Sequence, residues 1–98
     1  MKREHFITAT EFCSGHDIEM TFLYNLDENG LIRLERSEDT VFIEEEQLSN
    51  LERIVRLYFD LGINFEGIET IINLLERTED LQEQINTLKN RLRLYEDL

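Results

Sequence analysis

The stretch Leu57-Tyr58-Phe59-Asp60-Leu61-Gly62-Ile63-Asn64-Phe65-Glu66-Gly67-Ile68 constrains this chain more than any other. It reads as one helix stopping and another starting within three residues. Gly62 occupies the C′ position, where a positive φ is needed to close a helix. Asn64 is a favoured N-cap for the helix that follows. With Asn64 as N-cap, Ile63 and Ile68 hold the N′ and N4 positions of a hydrophobic staple. Gly62, Ile63, Asn64 and Ile68 therefore specify a helix corner. From Ile71 onward the apolar positions run Ile71, Leu74, Thr78, Leu81, Ile85, Leu88, Leu92 and Tyr95, with spacings alternating three and four. That alternation is the coiled-coil signature. A helix from Asn64 to the end would be about 50 Å long, and its seam needs a partner. Pairing with a second copy is the expectation.

The 98 residues suffice for one domain with a modest core. Residues 1–63 are expected to form a head and residues 64–98 a C-terminal coiled-coil helix continuous with it. Thr8 with Glu11 fits a capping box, placing a first helix over about Ala9 to Gly15. A second is expected from Asp17 or Ile18 through Met20, Leu23, Tyr24 and Asp27, with Gly30 as its C′ residue. Two short helices around a turn containing Gly15 resemble a helix-turn-helix unit. Leu31–Arg36 and Thr40–Ile43, separated by the turn-like Ser37-Glu38-Asp39, suggest a two-stranded wing, with Phe6-Ile7 as an extended entry. Glu44, Glu45 and Glu46 open the third helix, where negative charge suits the N-terminus. Its apolar stripe is Leu48, Leu51, Ile54, Val55, Tyr58 and Leu61.

The net charge is −12, and every third of the chain carries more acids than bases. DNA affinity begins with Lys and Arg neutralising phosphates, so a duplex partner is disfavoured. Anionic membranes are disfavoured for the same reason. A basic protein surface is the partner such a charge attracts. No apolar run is long enough to span a bilayer, and Met1-Lys2-Arg3-Glu4-His5 is not followed by a signal-peptide core. Cys13 is the single cysteine, so an internal disulfide is impossible and a reducing cytoplasm is expected. Cys13 and His16 are spaced like two metal ligands, but with only His5 besides they fall short of a structural site. No metal or cofactor is expected. There is no nucleophile–base pair, phosphate loop or carboxylate dyad, so no catalysis is expected. Phe22, Tyr24, Tyr58 and Phe59 lie at helical spacings that assign them to the core.

The layout of helix-turn-helix, wing, corner and long helix resembles MerR-type domains, and within them the CbpM-like chaperone modulators. The matching residues are Ile7-Thr8-Ala9-Thr10-Glu11-Phe12-Cys13, Val41-Phe42, the segment from Ile54 to Ile68, Ile72-Asn73-Leu74-Leu75-Glu76, and Leu88-Lys89-Asn90-Arg91-Leu92. The resemblance implies a mostly α fold, with a MerR-like winged helix-turn-helix head and a long C-terminal coiled-coil helix. It further implies a protein that binds the J-domain of a DnaJ-like co-chaperone and limits its stimulation of a DnaK-type chaperone. J-domains offer a basic helix, so Glu19, Asp27, Glu28, Glu44, Glu45 and Glu46 form the expected contact pool. The alternative is a MerR-like DNA-binding transcriptional regulator. Against it, those regulators present Arg-rich helices and wings, whereas here the second helix offers Glu19, Asp27 and Glu28, and only Arg33 and Arg36 lie near the wing.

Overall fold

A computed structural model describes residues 5–96. The charged start of the chain, residues 1–4, lies outside them. The described chain divides into two compact units, the boundary falling between Phe65 and Glu66 in the sequence. The first holds three strands and three helices. The second is a single helix.

In the first unit, strand β1 (Phe6–Thr8) leads directly into helix α1 (Ala9–His16). Thr8 serves both elements. Its Oγ1 accepts from the Glu11 amide at 3.1 Å, and the Thr8 amide donates to Glu11 Oε1 at 3.3 Å, which is the expected capping box. Gly15 lies inside α1 rather than in the turn. The chain turns instead at Asp17, which takes the left-handed conformation (φ 55°). The Ile18 amide donates to the Cys13 carbonyl at 3.0 Å. This closure delays the next helix, α2 (Met20–Glu28), by two to three residues relative to the expected start. Asp is one of the few non-glycine residues that visit this conformation readily, so the turn needs no glycine.

Gly30 closes α2 as expected, with φ 75°. The Leu31 amide donates to the Leu26 carbonyl and the Gly30 amide to the Asp27 carbonyl, the two bonds of a Schellman motif. Because Leu31 belongs to that cap and Ile32 is buried, the wing begins three residues later than its alternation suggested. It comprises β2 (Leu34–Ser37) and β3 (Thr40–Glu44). Ser37 pairs with Thr40, so Glu38 and Asp39 form the hairpin tip. Phe6–Thr8 is more than an extended entry. It pairs antiparallel with β3, from Phe6 opposite Glu44 to Thr8 opposite Phe42, giving a three-stranded sheet of order β1-β3-β2.

Glu44 is the last residue of β3, not the first of a helix. A 3-10 turn, Glu45–Gln47, then leads into α3 (Leu48–Val55). The α geometry stops at Val55, and Arg56–Asp60 form a π-type turn in which the Leu61 amide donates to the Arg56 carbonyl at 3.2 Å. The expected stripe therefore holds only in part. Leu51 and Ile54 are fully buried, whereas Leu61 is 68% exposed. Gly62 adopts φ 67°, and its amide donates to the Tyr58 carbonyl at 3.1 Å. The core of this unit gathers Ala9, Phe12, Leu23, Leu26, Ile43, Leu51 and Ile54 from both helices of the helix-turn-helix, the central strand and α3. Burying the Phe, Leu and Ile side chains among these stabilises the fold by about 1.5–3 kcal/mol each before entropy is counted.

Helix α4 (Phe65–Glu96) is unbroken over 32 residues; its first residue, Phe65, belongs to the first unit, and the rest of it, from Glu66 on, forms the second. Asn64 directly precedes it, at the N-cap position. Ile68 and Ile72 are buried, while Leu74, Leu81, Ile85, Leu88, Leu92 and Tyr95 are exposed by 45–74%. Ile71 is half-buried and Thr78 exposed, its Oγ1 donating to the Leu74 carbonyl at 2.8 Å. The mostly α class, with a winged head and a long terminal helix, is as expected.

Candidate functional site

The acidic side chains do not converge on one spot. Glu19 precedes α2 and Glu28 ends it, about 13 Å apart along the helix axis. Two members of the pool hold the wing in place. Asp27 Oδ1 accepts the Leu34 amide at 3.3 Å, and Glu44 Oε1 pairs with Arg33 Nη2 at 3.1 Å. Gln47, which carried no expectation, makes two further bonds at this junction. Its Oε1 accepts the Arg33 amide at 2.7 Å and its Nε2 donates to the Arg33 carbonyl at 2.8 Å. Glu28, Glu45 and Glu46 are exposed.

The bases of the wing are engaged by their own fold. Arg33 is the partner of Glu44, and the Arg36 guanidinium lies 5.3 Å from the centre of the Tyr24 ring, a cation–π arrangement. Helices α1 and α2 contain no Lys or Arg, and the wing tip is Glu38-Asp39. The surface that would face a duplex in a winged helix-turn-helix thus offers carboxylates where phosphate contacts need cations.

Four aromatic rings meet elsewhere on the head. Phe22 of α2 lies 5.0 Å from Tyr58, 5.0 Å from Phe59 and 5.9 Å from Phe65, ring centre to ring centre. Tyr58 stacks on Phe65 at 5.1 Å. Together they line a concavity of about 290 Å³ that also includes Asp17 and Glu19. Phe22 is buried, but Phe59 is 52% exposed, so Phe59 is not the core residue its spacing suggested. Phe65 was not foreseen here. The available signal was the Tyr58-Phe59 doublet: two adjacent rings cannot both follow one α-helical stripe.

Cys13 and His16 have separate surroundings. Cys13 Sγ lies 3.5 Å from Met20 Sδ, and burial pushes its thiol pKa up. His16 stacks on Phe12 at 4.1 Å, and its Nε2 is 3.8 Å from a Glu52 carboxylate oxygen. No group of three His, Cys, Asp or Glu side chains among the described residues is arranged to hold a metal ion. No helix among them is long and apolar enough to cross a membrane.

A family model of MerR helix-turn-helix regulatory proteins matches residues 7–90. The chain belongs to the MerR helix-turn-helix family. No curated protein and no solved structure matches it. The match to the MerR family runs from β1, through the helix-turn-helix and wing, to most of α4.

Proposed function

We propose that this MerR-family protein is a non-catalytic, CbpM-like modulator that binds the J-domain of a DnaJ-like co-chaperone and limits its stimulation of a DnaK-type chaperone. It acts in the cytoplasm as a homodimer paired through the α4 seam. The observation that carries this reading is the scarcity of cations on the helix-turn-helix and wing. Arg33 pairs with Glu44 at the surface, Arg36 lies over Tyr24, and α1 and α2 have none. A fold built for reading DNA has here an acidic surface, suited to a basic protein helix. The resemblance across Ile54–Ile68 supports the choice of co-chaperone. The exposed Leu81, Ile85, Leu88 and Leu92 support pairing, since such an apolar stripe marks an interface.

Family membership itself favours the second reading, a DNA-binding transcriptional regulator. Calorimetry against a purified J-domain at two salt concentrations separates the two. The modulator binds, and binds less tightly as salt rises. No binding at either salt, with retention of a specific duplex, establishes the regulator instead.

A further inference from the structure

Tyr58 and Phe59 are adjacent in sequence, yet both ring centres lie 5.0 Å from that of Phe22. On a regular α-helix, neighbouring side chains diverge by about 100° around the axis, so only one of the two would meet Phe22. The π-type turn over Arg56–Asp60 reduces that divergence by widening the helix at this point. Such single-turn π segments recur at functional positions. Here the turn delivers two rings to one place and leaves Phe59 half-exposed in a concavity rather than sealed in the core.

The concavity is also polarised. Asp17 and Glu19 are exposed and belong to its lining, and no lining residue is basic. Arg56, on the same widened turn, is not part of the lining. A space of about 290 Å³ holds one large side chain, not a small protein element. An apolar floor beside two carboxylates is complementary to an apolar anchor with a Lys or Arg beside it. On a helix, residues three or four apart share a face 5–6 Å apart. One turn of a basic amphipathic helix therefore presents both groups at once.

We propose that the concavity formed by Phe22, Tyr58, Phe59 and Phe65, edged by Asp17 and Glu19, docks a basic amphipathic helix. One large apolar side chain of that helix sits against Phe59, and its Lys or Arg side chains face the two carboxylates. Under the modulator reading, on which this rests for the identity of the partner, the helix belongs to the J-domain. The contact centre is then the aromatic concavity, and Glu44–Glu46 lie outside it.

The test is an NMR titration of the ¹⁵N-labelled full chain with two probes, a purified J-domain and a synthetic Lys/Leu amphipathic helical peptide. Two variants accompany it. Phe59→Ala removes the anchor surface, with circular dichroism verifying the fold. The double variant Asp17→Asn, Glu19→Gln keeps shape and the left-handed turn, since Asn tolerates that conformation. The expected result is perturbation of amides in residues 17–25 and 56–65. Phe59→Ala weakens binding by roughly tenfold or more, and the double variant flattens its salt dependence. J-domain binding of undiminished affinity in both variants, or perturbations confined to other residues, overturns the docking site and leaves the modulator reading intact. Peptide binding at these residues without J-domain binding supports the docking site and removes the modulator reading. Binding of neither probe overturns both.

Discussion

Gly62 and Gly15 should respond to the same substitution with opposite signs. A Cβ placed on either residue meets no atom within 4 Å, so neither change creates a clash. What differs is the backbone. Gly62 holds φ 67°, where an L side chain costs roughly 1–2 kcal/mol. Gly15 lies in α1, where glycine is worse than alanine by about 0.5–1 kcal/mol. Gly62→Ala is therefore expected to destabilise by about 1 kcal/mol and Gly62→Val by about 2 kcal/mol, because β-branching is least tolerated at positive φ. Gly62→Asn falls below Ala in cost. Gly15→Ala is expected to stabilise by about 0.5 kcal/mol. In a domain of this size, each kcal/mol corresponds to roughly 4–8 °C in Tm. The assay is urea denaturation followed by circular dichroism, at one fixed protein concentration because the proposed dimerisation would couple to stability. If Gly62→Ala is neutral or stabilising, the left-handed closure of the helix corner is refuted, and with it the placement of the helix break.

Three further outcomes follow from other parts of the chain. Thr8→Ala should cost about 1 kcal/mol in the same denaturation assay through loss of the capping box, while Thr8→Ser keeps most of it. Equal stability of Thr8→Ala and wild type would show that the cap carries no energy. Cys13 should react slowly with a thiol reagent at neutral pH and rapidly once urea unfolds the chain. Its burial raises the thiol pKa, and the thiolate is the reactive form. Because the folded pKa lies above the unfolded one, this residue favours the fold below the ordinary thiol range, and that contribution falls away as pH climbs through it. Fast labelling of the folded protein would contradict the buried placement. Ile85→Asp should shift the mass measured by light scattering from dimer toward monomer. An unchanged dimer mass would exclude the seam as the interface.

The helix ends were legible where a single residue type answers a backbone demand. Thr8 with Glu11, Gly30 and Gly62 each stand where their chemistry is required, and each does the expected job. Long-range consequences were less legible. Phe6–Thr8 becomes a third strand because β3 offers it a free edge, which three residues cannot announce. Gly15 drew the helix-turn-helix turn toward itself by composition, whereas Asp17 adopts the left-handed conformation. Glu44 stays in the sheet, where it pairs with Arg33, so the acidic run spans a strand end and a 3-10 turn. The aromatic concavity was hidden because helical periodicity assumes 3.6 residues per turn throughout. Once Arg56–Asp60 widen, Leu61 leaves the stripe and Phe59 joins Tyr58 beside Phe22. The family layout was readable across most of the chain because the heptad seam and the corner are local patterns, and the match over residues 7–90 agrees with it.

The central claim is that this MerR-family chain restrains a co-chaperone without catalysis of its own. Its most direct test is the steady-state ATPase rate of a DnaK-type chaperone, stimulated by a DnaJ-like co-chaperone, as this protein is added. The rate is expected to fall toward the unstimulated level, to saturate near equimolarity with the co-chaperone, and to recover in part as salt rises. The chaperone's basal rate without co-chaperone is expected to stay unchanged. A stimulated rate that does not move at any amount of added protein, under conditions where the chain is folded and dimeric, would contradict the account.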